Sequence, residues 1–472
     1  VWPRSPEILA CPEPVALPAE LSGLLGFRAA CACGREHAVE LQAVVLGHGA
    51  DAELPGLARR AAGEGRRVRV VFDRVTRAVL GERTLAALRR DGQRAEGCLV
   101  PDGPGGRPHA DEAALAVVEA ALAGCDLGVA VGSGTLNDLV KLASSRRGIP
   151  YLSVATAPSM NGYTSGIAAL EVEGVKRTLA CRQAFGVVAD LDVLVGAPPP
   201  LIAAGLGDLE SKPTATADYR LAAWVRGEAY CPAPEGVVRA AEARAAGSAA
   251  GLPGREPEAI EALTEALLLS GLSMKLAGSS SPASGGEHLI SHFWDMTAAA
   301  EGRVPGWHGA QVGVACLVTA SLFERLSRLG PAEVARAAAR TPELTAEDWR
   351  DRLRADHGPL AGELERELGP KLRFGRARAE ELERVLSGWE ALWASLAPAL
   401  RPAGVLRDTL VAGGAPTTAA GLGLTPGHLR RGLVWARRLR NRYTVLDLAD
   451  DLGLLEPLAD EVLAASGCLG SG

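Results

Sequence analysis

Leu127-Gly128-Val129-Ala130-Val131-Gly132-Ser133-Gly134-Thr135-Leu136-Asn137-Asp138-Leu139-Val140-Lys141 is the stretch that decides the fold. An uninterrupted apolar run runs into a glycine-rich turn, and the turn opens a segment with helical spacing. Apolar on consecutive positions, the first half reads as a strand buried on both faces. Gly132 and Gly134 let the backbone turn tightly and approach a pyrophosphate, whose charge would meet free N–H groups at the helix start. The dinucleotide fingerprint is incomplete, because position 137 is Asn and not Gly.

The same unit repeats on either side. Short apolar runs at 43–46, 68–72, 97–100 and 151–154 alternate with helix-like stretches at 51–63, 76–91, 111–123 and 135–147. Strand and helix in alternation predict a parallel, Rossmann-like α/β sheet. The run at 151–154 leads into Thr156-Ala157-Pro158-Ser159-Met160-Asn161-Gly162, which sets hydroxyls and an amide beside the first loop, at the sheet edge where such folds bind ligands. Pro198-Pro199-Pro200 marks a boundary. Beyond it the patterning is helical, at 200–227, 255–277, 286–300, 309–328, 376–397 and 426–466 among others, with 230–254 read as a mobile loop or short helices. The expected organisation is an α/β dinucleotide-binding domain over 1–197 and an all-α metal- and substrate-binding domain over 198–472, with the site in the cleft between them.

Composition excludes several classes. Net charge is -6 and charged residues make up 22% of the 472, so no basic face for nucleic acid is expected. The run from Arg437 to Arg442 reads as a solvated helix face. No apolar stretch is long enough to span a membrane. The first fourteen residues lack the pattern of a signal peptide, and nine scattered cysteines suit a reducing cytoplasm. The reading is a cytoplasmic protein acting on a small molecule.

Three polar signals stand out in the helical half. Asp208 follows Gly205-Leu206-Gly207. His288 and His292 lie at i and i+4, on one helix face. His308 heads an apolar segment. A carboxylate with imidazoles from separate helices is the make-up of a catalytic site for a divalent ion. A second cluster, Cys31-Ala32-Cys33 with His37, offers three ligands at C-x-C spacing and no evident fourth.

Six blocks in order carry a resemblance: 132–141, 156–165, 205–222, 281–292, 307–314 and 440–455. The chain resembles the sn-glycerol-1-phosphate dehydrogenase family, within the superfamily of iron-containing alcohol dehydrogenases, glycerol dehydrogenases and dehydroquinate synthases. The resemblance implies a dehydroquinate synthase-like architecture and an NAD(P)-linked oxidoreductase interconverting a polyol phosphate and its ketone. It implies Asp208, His288 and His308 as ligands of one divalent ion, Zn²⁺ ahead of Ni²⁺ or Fe²⁺. Gly132, Ser133, Gly134, Asp138, Lys141, Thr156 and Ser159 would meet NAD or NADP. Lys212, His292 and Asn161 would line the catalytic pocket, with His292 as a proton relay. A homodimer or larger homo-oligomer is also implied. From the residues themselves, Asp73 after the strand at 68–72 could favour NAD, while Arg74 and Arg77 could do the opposite.

Three positions depart from the family pattern. Asn161 replaces an Asp, Ser281 replaces an Arg, and Gly286 replaces a Ser. They leave open a same-fold oxidoreductase acting on another carbonyl, phosphorylated or phosphonate substrate. A cyclase resembling dehydroquinate synthase that uses NAD transiently is the remaining enzymatic alternative.

Overall fold

The computed structural model describes residues 11, 13–103, 105–298 and 301–470. Most of the first fourteen residues, read above for a signal peptide, lie outside these.

Ten strands precede residue 191 among the described residues. β1 (Arg28–Ala30) and β2 (Glu36–Ala38) form an antiparallel hairpin, as do β8 (Ile167–Val172) and β9 (Val175–Ala180). The other six form one parallel sheet: β3 (Ala43–Gly47), β4 (Arg67–Phe72), β5 (Arg94–Leu99), β6 (Leu127–Gly132), β7 (Tyr151–Ala155) and β10 (Gly186–Asp190), in the order β3-β10-β7-β6-β4-β5. Five of these six were legible as apolar runs. The strand at 97–100 begins earlier, at Arg94, because the exposed Arg94 and Glu96 sit on an outer strand and carry no apolar signal.

Alternation along the strands divides the interior. Val129, Val131, Leu152 and Val154 pack with α1 (Leu54–Ala62) and α2 (Glu82–Arg90) on one face. Ala130 and Ala155 face α3 (Glu112–Ala121) and α4 (Gly134–Arg147) on the other, in a core that continues into the helical half. β4 and β6 are neighbours, yet the chain leaves β4 towards β5 and returns to the opposite side for β6 and then β7. The crevice at their carboxyl ends is therefore the switch point where ligands of open α/β sheets bind. The loop after β6 is Gly132-Ser133-Gly134.

Helices follow: α5 (Pro199–Glu210), α6 (Lys212–Arg226), α7 (Ala233–Ser248), α8 (Pro257–Ala277), α9 (Gly286–Ala298), α10 (His308–Ser327), and further ones to Ser466. Pro199 and Pro200 start α5, where a missing N–H costs nothing. The expected single helix over 200–227 breaks at Ser211, because Pro213 starts the next one. The stretch 230–254, read as a loop or short helices, is largely α7. Gly388 divides 376–397, and 426–466 holds three separate α-helices.

The run from Arg437 to Arg442 is not a solvated face. Arg437 and Arg438 are buried, paired with Asp447, Asp450 and Asp356. Acidic partners at 447 and 450 convert a charge run into interior ion pairs.

Candidate active site

Close backbone approach assembles the site. Gly205 and Gly207 lie inside α5, not in a turn before it. A Cβ at Gly205 would fall 1.9 Å from the Pro158 carbonyl oxygen, and one at Gly207 would fall 2.2 Å from the Gly309 oxygen. Gly309 needs its own missing Cβ against the Ala204 oxygen, at 1.9 Å. These glycines let α5 touch both the loop after β7 and the start of α10. Asp208 thus meets the Asn161 backbone, whose N–H donates to Oδ2 at 2.9 Å.

Asp208 Oδ1 accepts from Lys212 Nζ at 2.9 Å and lies 3.6 Å from His288 Nε2. The ring of His288 is centred 5.2 Å from that of His308 and 6.4 Å from that of His292, while His292 and His308 are 5.6 Å apart. His288 Nδ1–H donates to Glu287 Oε1 at 2.8 Å. Glu287 is itself held by the Gly285 N–H at 2.6 Å and the Thr214 hydroxyl at 3.1 Å. Ser291 spends its proton on Gln311 Oε1 at 2.9 Å, so its oxygen accepts from His308 Nδ1 at 3.3 Å. Both imidazoles are therefore tied at Nδ1 and keep a lone pair on Nε2.

For His308, electrostatics agree with that tautomer assignment. Burial pushes the Asp208 carboxyl up, but Lys212 and His288 outweigh it and hold it far below the usual carboxylate range. Burial, aided by His288, lowers His308 to about 3, so its ring is neutral. Burial, then Arg440 and His308, drive His292 well below its ordinary value, and its Nδ1 has no hydrogen-bond partner. One ionised carboxylate beside two imidazoles tied at Nδ1 is a donor set that suits a divalent ion such as Zn²⁺.

A cleft of about 260 Å³ joins this cluster to the sheet. Ser133, Gly134, Asp138, Ser159, Asn161, His288, His292 and His308 all line it. α4 begins at Gly134 with no side-chain cap on its first N–H groups, so an anion can take that place. A Cβ at Gly134 would make only ordinary contact, 3.4 Å from Met160, whereas one at Gly132 would strike Leu136.

Other expected residues are placed away from the cleft wall. Lys141 is fully buried and donates to Asp138, the Gly162 and Ile167 carbonyls and the Ser165 hydroxyl, at 2.7–3.1 Å. It braces the loop and has no N–H left for a cofactor phosphate. Thr156 is buried, its N–H bonded to Gly132. Asp73 caps the helical turn after β4, accepting from the N–H groups of Val75 and Thr76. Arg74 pairs with Asp102 and Arg77 with Glu82. Lys212 touches Asp208 and the Ala283 carbonyl. Asn161, by contrast, does line the cleft, and its amide donates to the Ser270 hydroxyl at 3.2 Å, a positioning contact.

Sequence reading missed five participants. Glu287 adjoins His288 and could have been found as its neighbour. Asp295, one turn beyond His292, lines the cleft with a partnerless Oδ1. Lys176 enters from the β8–β9 hairpin; its ammonium makes no hydrogen bond or ion pair among the described residues, and its charge pulls the Asp295 carboxyl down against burial. Arg442 reaches Ser280 and Ser284, both in the cleft wall, and Arg440 reaches Thr178. Cationic groups thus border the wall that Ser281 leaves without its expected arginine.

Residues 45–198 match the model of the iron-containing alcohol dehydrogenase family. A glycerol-1-phosphate dehydrogenase [NAD(P)+] of Bacillus licheniformis is 30% identical over 437 residues, covering 91% of this chain and 94% of the relative. Another, from Geobacillus stearothermophilus, is 32% identical over 430 residues, covering 90% and 96%. Among solved structures, the glycerol dehydrogenase of Schizosaccharomyces pombe superposes with a TM-score of 0.57 at 17% identity, covering 90% of this chain and 92% of that one. That likeness concerns the fold.

Proposed function

The chain belongs to the glycerol-1-phosphate dehydrogenase family of iron-containing alcohol dehydrogenases, and on that premise we propose that it interconverts sn-glycerol 1-phosphate and dihydroxyacetone phosphate. It is an NAD(P)-dependent, metal-containing dehydrogenase. The observation that carries the substrate reading is one cleft lined by the uncapped start of α4, three imidazoles and the unpaired Lys176.

Asp208, His288 and His308 would hold the metal, with Zn²⁺ the proposed ion and Ni²⁺ or Fe²⁺ the alternatives. When bound, the metal supplies Lewis acidity at the reacting oxygen and the nicotinamide supplies hydride chemistry. Glu287 and Ser291 fix the rings of His288 and His308, the two imidazoles that would hold the ion. Ser133 and Gly134 at the α4 N-terminus receive the cofactor pyrophosphate. Lys176, a point charge in a partly enclosed wall, meets the substrate phosphate. His292 is neutral and has an unpartnered nitrogen, so it can accept the hydroxyl proton in one direction and return it in the other. Asn161 holds Asp208 through its backbone; its amide takes no proton.

We also propose a domain division at 197/198, a homo-oligomer and a cytoplasmic setting.

The test is to reconstitute the protein with metal and follow NADH or NADPH absorbance with dihydroxyacetone phosphate. Turnover that disappears in His288→Ala supports the reading. Cofactor oxidation only by other phosphorylated or phosphonate carbonyls would favour the second substrate class, which Asn161 and Ser281 keep in view. Product without net cofactor change would favour the cyclase.

A further inference from the structure

A second group of metal-type donors lies outside the cleft. Cys31 and Cys33 sit in the β1–β2 turn, His37 is on β2, and Cys231 comes from the segment just before α7. Their ligand atoms all lie within 4.8 Å of one another. The turn is shaped by Cys31 N–H on Arg35 and Gly34 N–H on Cys31, with Gly34 at φ +83°. His37 is fully buried and Cys231 almost so, at 0% and 1% exposed.

We propose that Cys31, Cys33, His37 and Cys231 form a closed structural Zn²⁺ site. Zn–S and Zn–N bonds of about 2.3 and 2.0–2.1 Å at tetrahedral angles require ligand separations of about 3.8 Å for S···S and about 3.6 Å for S···N. The structure has Cys31 Sγ to Cys231 Sγ at 3.9 Å, Cys33 Sγ to His37 Nε2 at 3.5 Å and Cys231 Sγ to His37 Nε2 at 3.4 Å. No disulfide accounts for the grouping, since a bonded pair would stand at about 2.05 Å. The imidazole is prepared for ligation: His37 Nδ1 lies 2.6 Å from the Leu276 carbonyl, which can only accept. Nδ1 therefore carries the proton, and the Nε2 lone pair faces the sulfurs. Three thiolates and one imidazole leave no open position, which is the mark of a structural site and not a catalytic one. Cys11, with Sγ 3.8 Å from Cys31, adjoins the group.

The position gives such an ion a task. It would tie the N-terminal hairpin to the segment before α7 and, through His37, to the end of α8. Arg35 makes the same connection to the Ala277 carbonyl at 2.6 Å. The chain beyond α8 forms the Ser280–Ser284 wall of the cleft, so the ion would brace that wall from behind.

The active-site donors include no sulfur, so sulfur bound to zinc reports this site whatever becomes of the catalytic reading. Full-length protein is loaded with Zn²⁺, and metal content and zinc-edge X-ray absorption are measured for wild type and His288→Ala. The variant is expected to keep one zinc per chain with a sulfur shell at about 2.3 Å. Blocking the thiols of folded wild type should release that zinc. Cys31→Ser/Cys33→Ser should lose the sulfur shell, and His37→Cys should retain it. Zinc surrounded only by nitrogen and oxygen in the His288→Ala variant would overturn the proposal, as would iron with acid-labile sulfide or a Cys11–Cys31 disulfide in the purified protein.

Discussion

Glu287→Gln isolates the step from sequence to metal affinity. Glu287 is fully buried, and Oε1 takes the Gly285 N–H at 2.6 Å and the His288 Nδ1–H at 2.8 Å, while Oε2 takes the Thr214 hydroxyl at 3.1 Å. Glutamine is nearly isosteric. Its oxygen can keep the two N–H donors and its amide can donate to Thr214, whose hydroxyl also accepts. The fold therefore stays, and removing a negative charge relieves Asp218, whose carboxyl is pushed up by burial and then by Glu287. What is lost is the anionic partner of His288. A hydrogen bond to a charged group contributes about 1.5–3 kcal/mol against about 0.5–1.5 kcal/mol for a neutral one. Replacing such orienting partners typically weakens metal binding about 10–100-fold. Chelator competition on the zinc-loaded variant should show that drop for one of the two proposed ions, with the sulfur-bound ion unmoved and the melting temperature close to wild type. Unchanged affinity for both ions would show that His288 is no metal ligand oriented by Glu287.

Further outcomes follow from other residues. Lys176→Met should raise KM for dihydroxyacetone phosphate about 30-fold or more, equivalent to about 2 kcal/mol, with little change for an unphosphorylated carbonyl; equal effects on both would place Lys176 away from the phosphate. Gly134→Ala should fold normally, since its Cβ meets only Met160, yet weaken NAD(P)H binding at least about tenfold (about 1.4 kcal/mol) in a fluorescence titration. Glu242 tests the pH response. Burial pushes its carboxyl up to about 7, against the pull of Arg401. A raised folded value means that its contribution is complete below the unfolded value near 4.5 and is lost as pH rises through about 7. Glu242→Gln should remove up to about 3 kcal/mol of that pH dependence in denaturant titrations between pH 5 and 8; an unaltered slope would discount the buried carboxyl.

The β6–α4 unit was legible because strand burial, glycine turn and helical spacing are local signals that agree. Asp208, His288 and His308 were legible as residue types, though the reason for the glycines before Asp208 was not: they serve contacts with Pro158 and Gly309, far along the chain. Lys176 stayed hidden because the short β8–β9 hairpin, turning at Glu173 and Gly174 with positive φ, carries too weak an apolar pattern. The Arg437–Arg438 pair was misread because burial of a cation depends on partners brought by the fold. Cys231 could not be joined to His37 from sequence, since 194 residues separate them.

The most direct measurement is a zinc-edge anomalous difference map from crystals of the metal-loaded protein with NAD(P)H. A peak is expected about 2.0–2.2 Å from the Asp208 carboxylate and from Nε2 of both His288 and His308, facing the nicotinamide across the cleft. A map with density at the cysteine cluster alone, and none among Asp208, His288 and His308, would contradict that expectation.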